Sequence, residues 1–176
     1  EQPVWSFPVK YKGYRFDAPP PETKAMMAAI DAAPLDVVMS LHDCSFYGGY
    51  FYVSHDDTRL NADLAAVLAA AGLPPQRGEP EMPYLKTFAD GVFEAFDLTD
   101  DYEYYARYGV EPAAALQGGT SSDAYAESVW DCFTLVAEVP FFTSVKAADT
   151  SLAGVSRGDA VRRGIEYYAK SRLYIH

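Results

Sequence analysis

Cysteine is nearly absent: the 176 residues contain two, Cys44 and Cys132. Two thiols do not make a disulfide framework, so the chain is no bridge-stapled mini-domain. Basic residues are the minority, 14 Lys and Arg against 25 Asp and Glu, for a formal charge of −11. Such a surface repels nucleic acid and anionic membranes, which argues against both as partners. No apolar run approaches the ~20 residues needed to span a bilayer. No stretch has the basic head, apolar middle and small-residue cleavage site of a signal peptide. Internal repeats are missing too, and the one biased segment is the short "APPPE" at 18–22.

Hydrophobic residues make up 49% and charged residues 22%, which is ordinary globular usage. The length suits a single domain, 1–176, with a sizeable core. The 14 Tyr and 10 Phe suit a domain with a pocket as well as a core. The compartment leans cytoplasmic, and secretion stays open because the first residue is Glu1 rather than Met.

Along the chain, Pro21 and Glu22 open a helix through "ETKAMMAAIDAA". "LDVVMSLH" at 35–42 is a short apolar run without strict alternation, the pattern of a strand buried on both faces. "YFYVS" after the Gly-Gly break is a second strand. "LNADLAAVLAAAGLPP" at 60–75 is a helix stopped by Gly72 and a proline pair. "YLKTFADGVFEAF" is expected to be helical around Gly91, and "TDDYEYYARYG" to be a surface loop or short helix. "QGGTSSD" at 117–123 is a loop, followed by a helical turn in "DAYAESVW". "DCFTLVAEVPFF" at 131–142 is a buried strand ended by Pro140, and a closing helix begins near Asp159. Alternating strands and helices imply an α/β fold: an open, mostly parallel mixed sheet with helices on both faces.

Two of these strands carry an ionisable residue where an apolar one is expected. His42 ends "DVVMSLH", and Glu138 sits inside "FTLVAEVPFF". Ligands of open α/β sheets bind outside the carboxyl ends of the strands, so parallel strands would bring both residues to one crevice. The bland readings are a hydrogen-bonded structural histidine and a glutamate paired with Arg162 or Arg163 of the closing helix. A buried, unpaired carboxylate costs several kcal/mol, which makes Glu138 the less ordinary of the two.

In order, "PETKAMMAAI", "LDVVMSLHDCSFYGGYFYVS", "GGTSSDAY" and "FTLVAEVP" resemble the C-terminal half of zinc carboxypeptidases of the M14 type, over about residues 5–145. The resemblance implies a zinc cofactor, a peptide substrate and an open carboxypeptidase-like sheet. It makes His42 the third zinc ligand and Glu138 the general base. Ser121, Ser122 and Asp123 fall on its specificity loop. A zinc ion in such a site keeps an open position for water. A neighbouring carboxylate then takes that water's proton and hands it to the leaving amine.

The sequence also departs from this pattern. The family's His-x-x-Glu motif has no counterpart, since neither His42 nor His55 is followed three residues later by Glu and His176 is terminal. The Asn-Arg clamp and the oxyanion-stabilising Arg are missing as well. The expectation is therefore a domain incomplete at its N-terminus, partnered by the other half and unstable without it. The place of the mobile lid tyrosine reads "AAALQGG"; Tyr104, Tyr105, Tyr108 and Tyr125 lie nearby, and most are expected to be structural. Cys44 and Cys132 fall ~20 Å apart at ~3.3 Å per strand residue, too far to bridge, so both are expected to be free. Two alternatives stand beside the carboxypeptidase: an amide hydrolase acting on acylated amino acids or cell-wall peptides, and a catalytically degenerate domain that binds peptides or glycans.

Overall fold

The structure is a computed structural model that describes residues 5–44, 48–142, 144, 149 and 151–171. It is an α/β fold built on a five-stranded mixed sheet of order β3-β7-β4-β6-β5. These strands are β3 (Val37–Cys44), β4 (Tyr50–Val53), β5 (Thr87–Ala89), β6 (Val92–Glu94) and β7 (Phe133–Pro140). A separate hairpin, β1 (Val9–Tyr11) and β2 (Tyr14–Phe16), precedes them. The helices are α1 (Pro21–Asp31), α2 (Thr58–Ala70), α3 (Leu98–Arg107), the single turn α4 (Pro112–Ala115), α5 (Ser122–Trp130) and α6 (Arg157–Ser171). None of them is long and apolar enough to cross a membrane, among the described residues.

The sheet is less parallel than expected. β3 pairs parallel with β7 and β4 parallel with β6, while β7–β4 and β5–β6 are antiparallel. Chain length explains the first reversal. Only residues 45–49 link β3 to β4, and a parallel return needs a crossover of a dozen or more residues. The second reversal is a hairpin where a helix is expected. Asp90 and Gly91 turn the chain between β5 and β6, with Gly91 at φ +72°, so the Asp-Gly pair is a turn signal.

Helices cover both faces. On one, Leu64 and Leu68 of α2 pack on Phe51, Val53, Val92 and Ala137. On the other, Tyr50, Tyr52, Phe93 and Val136 form a second cluster with Cys44. Alongside it, Ile30 of α1 and Ala126 of α5 pack with Phe7, Cys132 and Val38. β7 lies inside the sheet and β3 at its edge. The run at 35–42 therefore has one covered face only: Val37, Met39 and Leu41 are 58%, 56% and 75% exposed. The outer edge of β3 has no strand partner among the described residues.

Helix ends follow local chemistry. The Asp57 carboxylate caps α2 by accepting from the Arg59 and Leu60 amides, and α2 stops before Gly72 at φ +69°. Asp97 caps α3 in a reciprocal box with Asp100. The segment read as a surface loop or short helix is thus a capped ten-residue helix. α6 begins at Arg157, two residues ahead of Asp159, and residues 172–175 of the expected closing helix lie outside the described residues. Cys44 and Cys132 are free and buried, and burial pushes both thiols above their ordinary value.

Candidate functional site

His42 and Glu138 are register partners on the parallel pair β3–β7. Strand side chains alternate between faces, so partners in register point the same way. The His42 Nδ1 atom lies 3.2 Å from Glu138 Oε1, with the imidazole exposed and the carboxylate nearly buried. This pair replaces the alternative of an arginine partner, because Arg162 instead pairs with Asp159. Burial pushes the Glu138 carboxyl above its ordinary 4.5; His42 pulls it down, and Glu81 adds to the upward push.

The pair stands on the wall of a cavity of about 410 Å³. Tyr52 and Val136 continue the sheet wall beneath it. Leu98, Asp101 and Tyr105 enter from α3, Ser121 and Asp123 from the start of α5, and Trp5 from the N-terminal segment. Of the residues that sequence placed in the site, His42, Glu138, Ser121 and Asp123 therefore share one cavity. Ser122 does not line it: it is the first residue of α5 and half-buried.

Backbone pairing sets the α5 wall. Phe7 and Thr120 exchange both amide-to-carbonyl bonds, at 3.1 and 2.9 Å, and the Gly119 amide donates to the Trp5 carbonyl at 2.8 Å. Glycine is required at 119, because a Cβ there would sit 1.8 Å from the Phe7 carbonyl oxygen. Ser121 then caps α5, its hydroxyl oxygen accepting from the Ala124 amide at 3.2 Å. Asp123 follows in the first turn, where the helix dipole favours negative charge.

Several lining residues carry no signal in the sequence reading. Glu81 comes from the 76–120 region; its carboxylate accepts the Tyr50 hydroxyl at 2.6 Å, and its amide donates to the Tyr52 hydroxyl at 3.4 Å. Asp101 accepts from the Tyr84 hydroxyl at 2.7 Å, and burial pushes its carboxyl up despite that bond. The capping motif of α3 could have signalled a helix there, though not the side it turns to the cavity. Among the four tyrosines near the lid position, Tyr105 lines the cavity. Tyr104 packs on Tyr84 and Tyr108, and Tyr125 donates to Asp31, both structural uses.

The expected zinc set is not completed by these residues. Among the described residues no three of His, Cys, Asp and Glu gather as donors for one metal ion. His42 offers one imidazole, and Glu138 stands beside it as a carboxylate rather than as part of a ligand cluster. No family model matches the chain, and neither a curated protein nor a solved structure matches it.

Proposed function

We propose that this chain carries the base-bearing part of a zinc carboxypeptidase-type hydrolase, which releases the C-terminal residue of a peptide. One observation carries the reading: a nearly buried carboxylate and an imidazole, register partners on adjacent parallel strands, face a cavity large enough for an amino-acid side chain. Zinc belongs to this reading as its cofactor, with His42 as one donor and the others supplied from outside the described residues. Glu138 is the proton carrier. A carboxyl raised above its ordinary value by burial takes a proton from water more readily than an exposed one and returns it to the leaving amine. Tyr52, Val136 and Leu98 line the same space and limit water near that carboxyl.

A second reading, a peptide-binding domain without catalysis, is favoured by the single imidazole that the described residues bring to the cavity. Incubation with zinc and a mixed peptide library, followed by mass spectrometry, separates the two. Loss of single C-terminal residues, abolished by Glu138→Gln at unchanged folding, is the expected result. Unchanged peptides together with no stoichiometric zinc on the protein would overturn the hydrolase and leave the binding domain.

A further inference from the structure

One buried hydroxyl on the cavity wall carries a proton that the protein does not use. Tyr52 of β4 is 4% exposed and lines the cavity. Its hydroxyl oxygen accepts from the Glu81 amide at a long 3.4 Å. Among the described residues nothing accepts the Tyr52 proton in turn. Other tyrosines show the contrast. The Tyr50 hydroxyl donates to Glu81 at 2.6 Å, Tyr84 to Asp101 at 2.7 Å, Tyr14 to the Gly118 carbonyl at 2.6 Å and Tyr125 to Asp31 at 3.0 Å. Burial pushes the Tyr52 phenol above its ordinary value, so it stays protonated, and a donor, throughout the physiological range.

The ring that carries this hydroxyl is held in place. Tyr50, Phe93 and Phe96 pack around it, with ring centroids 5.6, 6.0 and 5.6 Å away. Register places it one row from the base. Across β4 and β7, Tyr50 opposes Glu138 and Tyr52 opposes Val136, so all four share one face of the sheet. A buried donor without an acceptor is costly, and a donor fixed in advance loses little entropy when a ligand arrives. The group that completes it is neutral at the contacting atom. Glu81, Asp101, Asp123 and Glu138 line the cavity and no lysine or arginine does, so a further anion is repelled. An amide oxygen is a strong acceptor without net charge.

We propose that the Tyr52 hydroxyl donates to an amide carbonyl of a bound peptide and so fixes the peptide backbone near Glu138. The proposal deepens the hydrolase reading and rests on it for the word "peptide". It makes Tyr52 a substrate-binding residue and leaves proton transfer with Glu138. Removing the donor of one neutral hydrogen bond weakens binding by up to about tenfold.

Magnetic resonance of Ac-Ala-Leu labelled with carbon-13 at its amide carbonyls tests this. On titration with the wild-type protein, one carbonyl resonance is expected to move downfield, the signature of an accepted hydrogen bond. In tyrosine-labelled protein the Tyr52 ring resonance is expected to move with the same midpoint. Tyr52→Phe is expected to abolish the carbonyl shift and to weaken binding about tenfold. Tyr50→Phe, whose hydroxyl serves Glu81 instead, is expected to keep the shift. Because both wild-type signals are read first, the test does not depend on a variant folding. No binding, a bound peptide whose carbonyls do not move, or a shift that survives in folded Tyr52→Phe overturns the proposal. The two ideas fail differently: a Tyr52-dependent carbonyl shift without cleavage sinks the hydrolase alone, whereas cleavage without that shift sinks this inference alone.

Discussion

β3 and β4 flank the same strand, β7, yet they live in different environments. All four residues of β4 are buried, and Val53 is fully enclosed. β3 buries only Cys44 and turns Val37, Met39 and Leu41 outward to solvent. Val37, Met39 and Leu41 are as apolar as the residues of β4, so side-chain hydrophobicity alone does not explain their exposure. Position does: β4 has neighbours on both sides, whereas β3 has β7 on one side and, among the described residues, no strand on the other. The difference bears on function. Glu138 sits on the interior strand β7, where burial perturbs its carboxyl, and His42 sits on the edge, where its ring stays accessible.

The strongest way to break this comparison is to cut each strand's side chains in turn. Phe51→Ala on β4 is expected to cost about 3–5 kcal/mol in urea denaturation, because its ring fills the cluster with Leu64, Leu68 and Val92. A cost near zero would mean that the β4 side is not the core.

A second prediction concerns the strand between them. The native Glu138 carboxyl titrates above its ordinary 4.5. Below about 4.5 both folded and unfolded forms are protonated, and the group contributes nothing to the pH dependence. As pH rises through the window between that value and the raised native one, the unfolded chain ionises first. The native state then holds more protons, and stability falls with pH. Wild type is thus expected to lose stability relative to Glu138→Gln over this window, in thermal melts at stepped pH. A relative gain instead would show that attraction to His42 outweighs burial.

The smallest expected effect is also informative. Leu41→Ala on β3 is expected to change stability by no more than about 0.5 kcal/mol, as at other exposed positions. A loss of about 2 kcal/mol or more would reveal that something covers this face in the protein as it exists.

Much of this frame is legible from residues alone. Pro21, Gly72, Pro140 and the β-branched runs mark α1, α2, β3, β4 and β7, because turn and cap chemistry is local. The pairing of His42 with Glu138 is legible in kind, since two ionisable residues near the ends of apolar strands point to a shared crevice. Parallel β3 and β7, held in register, then bring them to 3.2 Å. What sequence could not give is non-local. The edge position of β3 depends on which strands are present to pair with it. The β5–β6 hairpin shows a local signal outweighed by a misleading one: "FADGVFEAF" has helix formers on both sides of a turn dipeptide. Asp101 and Glu81 reach the cavity only through tertiary placement of α3 and the segment near 81, which no spacing within the sequence encodes. Ser122 shows the limit of adjacency: it directly follows Ser121, yet the first turn of α5 carries it off the wall that Ser121 and Asp123 share.

The in-register ladder between β3 and β7 makes the separation of imidazole and carboxylate a stepwise quantity. Eight consecutive residue pairs hold the two strands, from Val37 with Phe133 to Cys44 with Pro140. Sliding one strand by a single residue would turn its whole row of side chains to the other face. Keeping the face means sliding by two, about 6.6 Å at ~3.3 Å per residue, and breaking every pair at once. Small backbone adjustments therefore cannot tune this pair. A lineage that needed a different reach between the two groups would have to change side-chain length instead, as Asp in place of Glu138 would, and leave the sheet untouched.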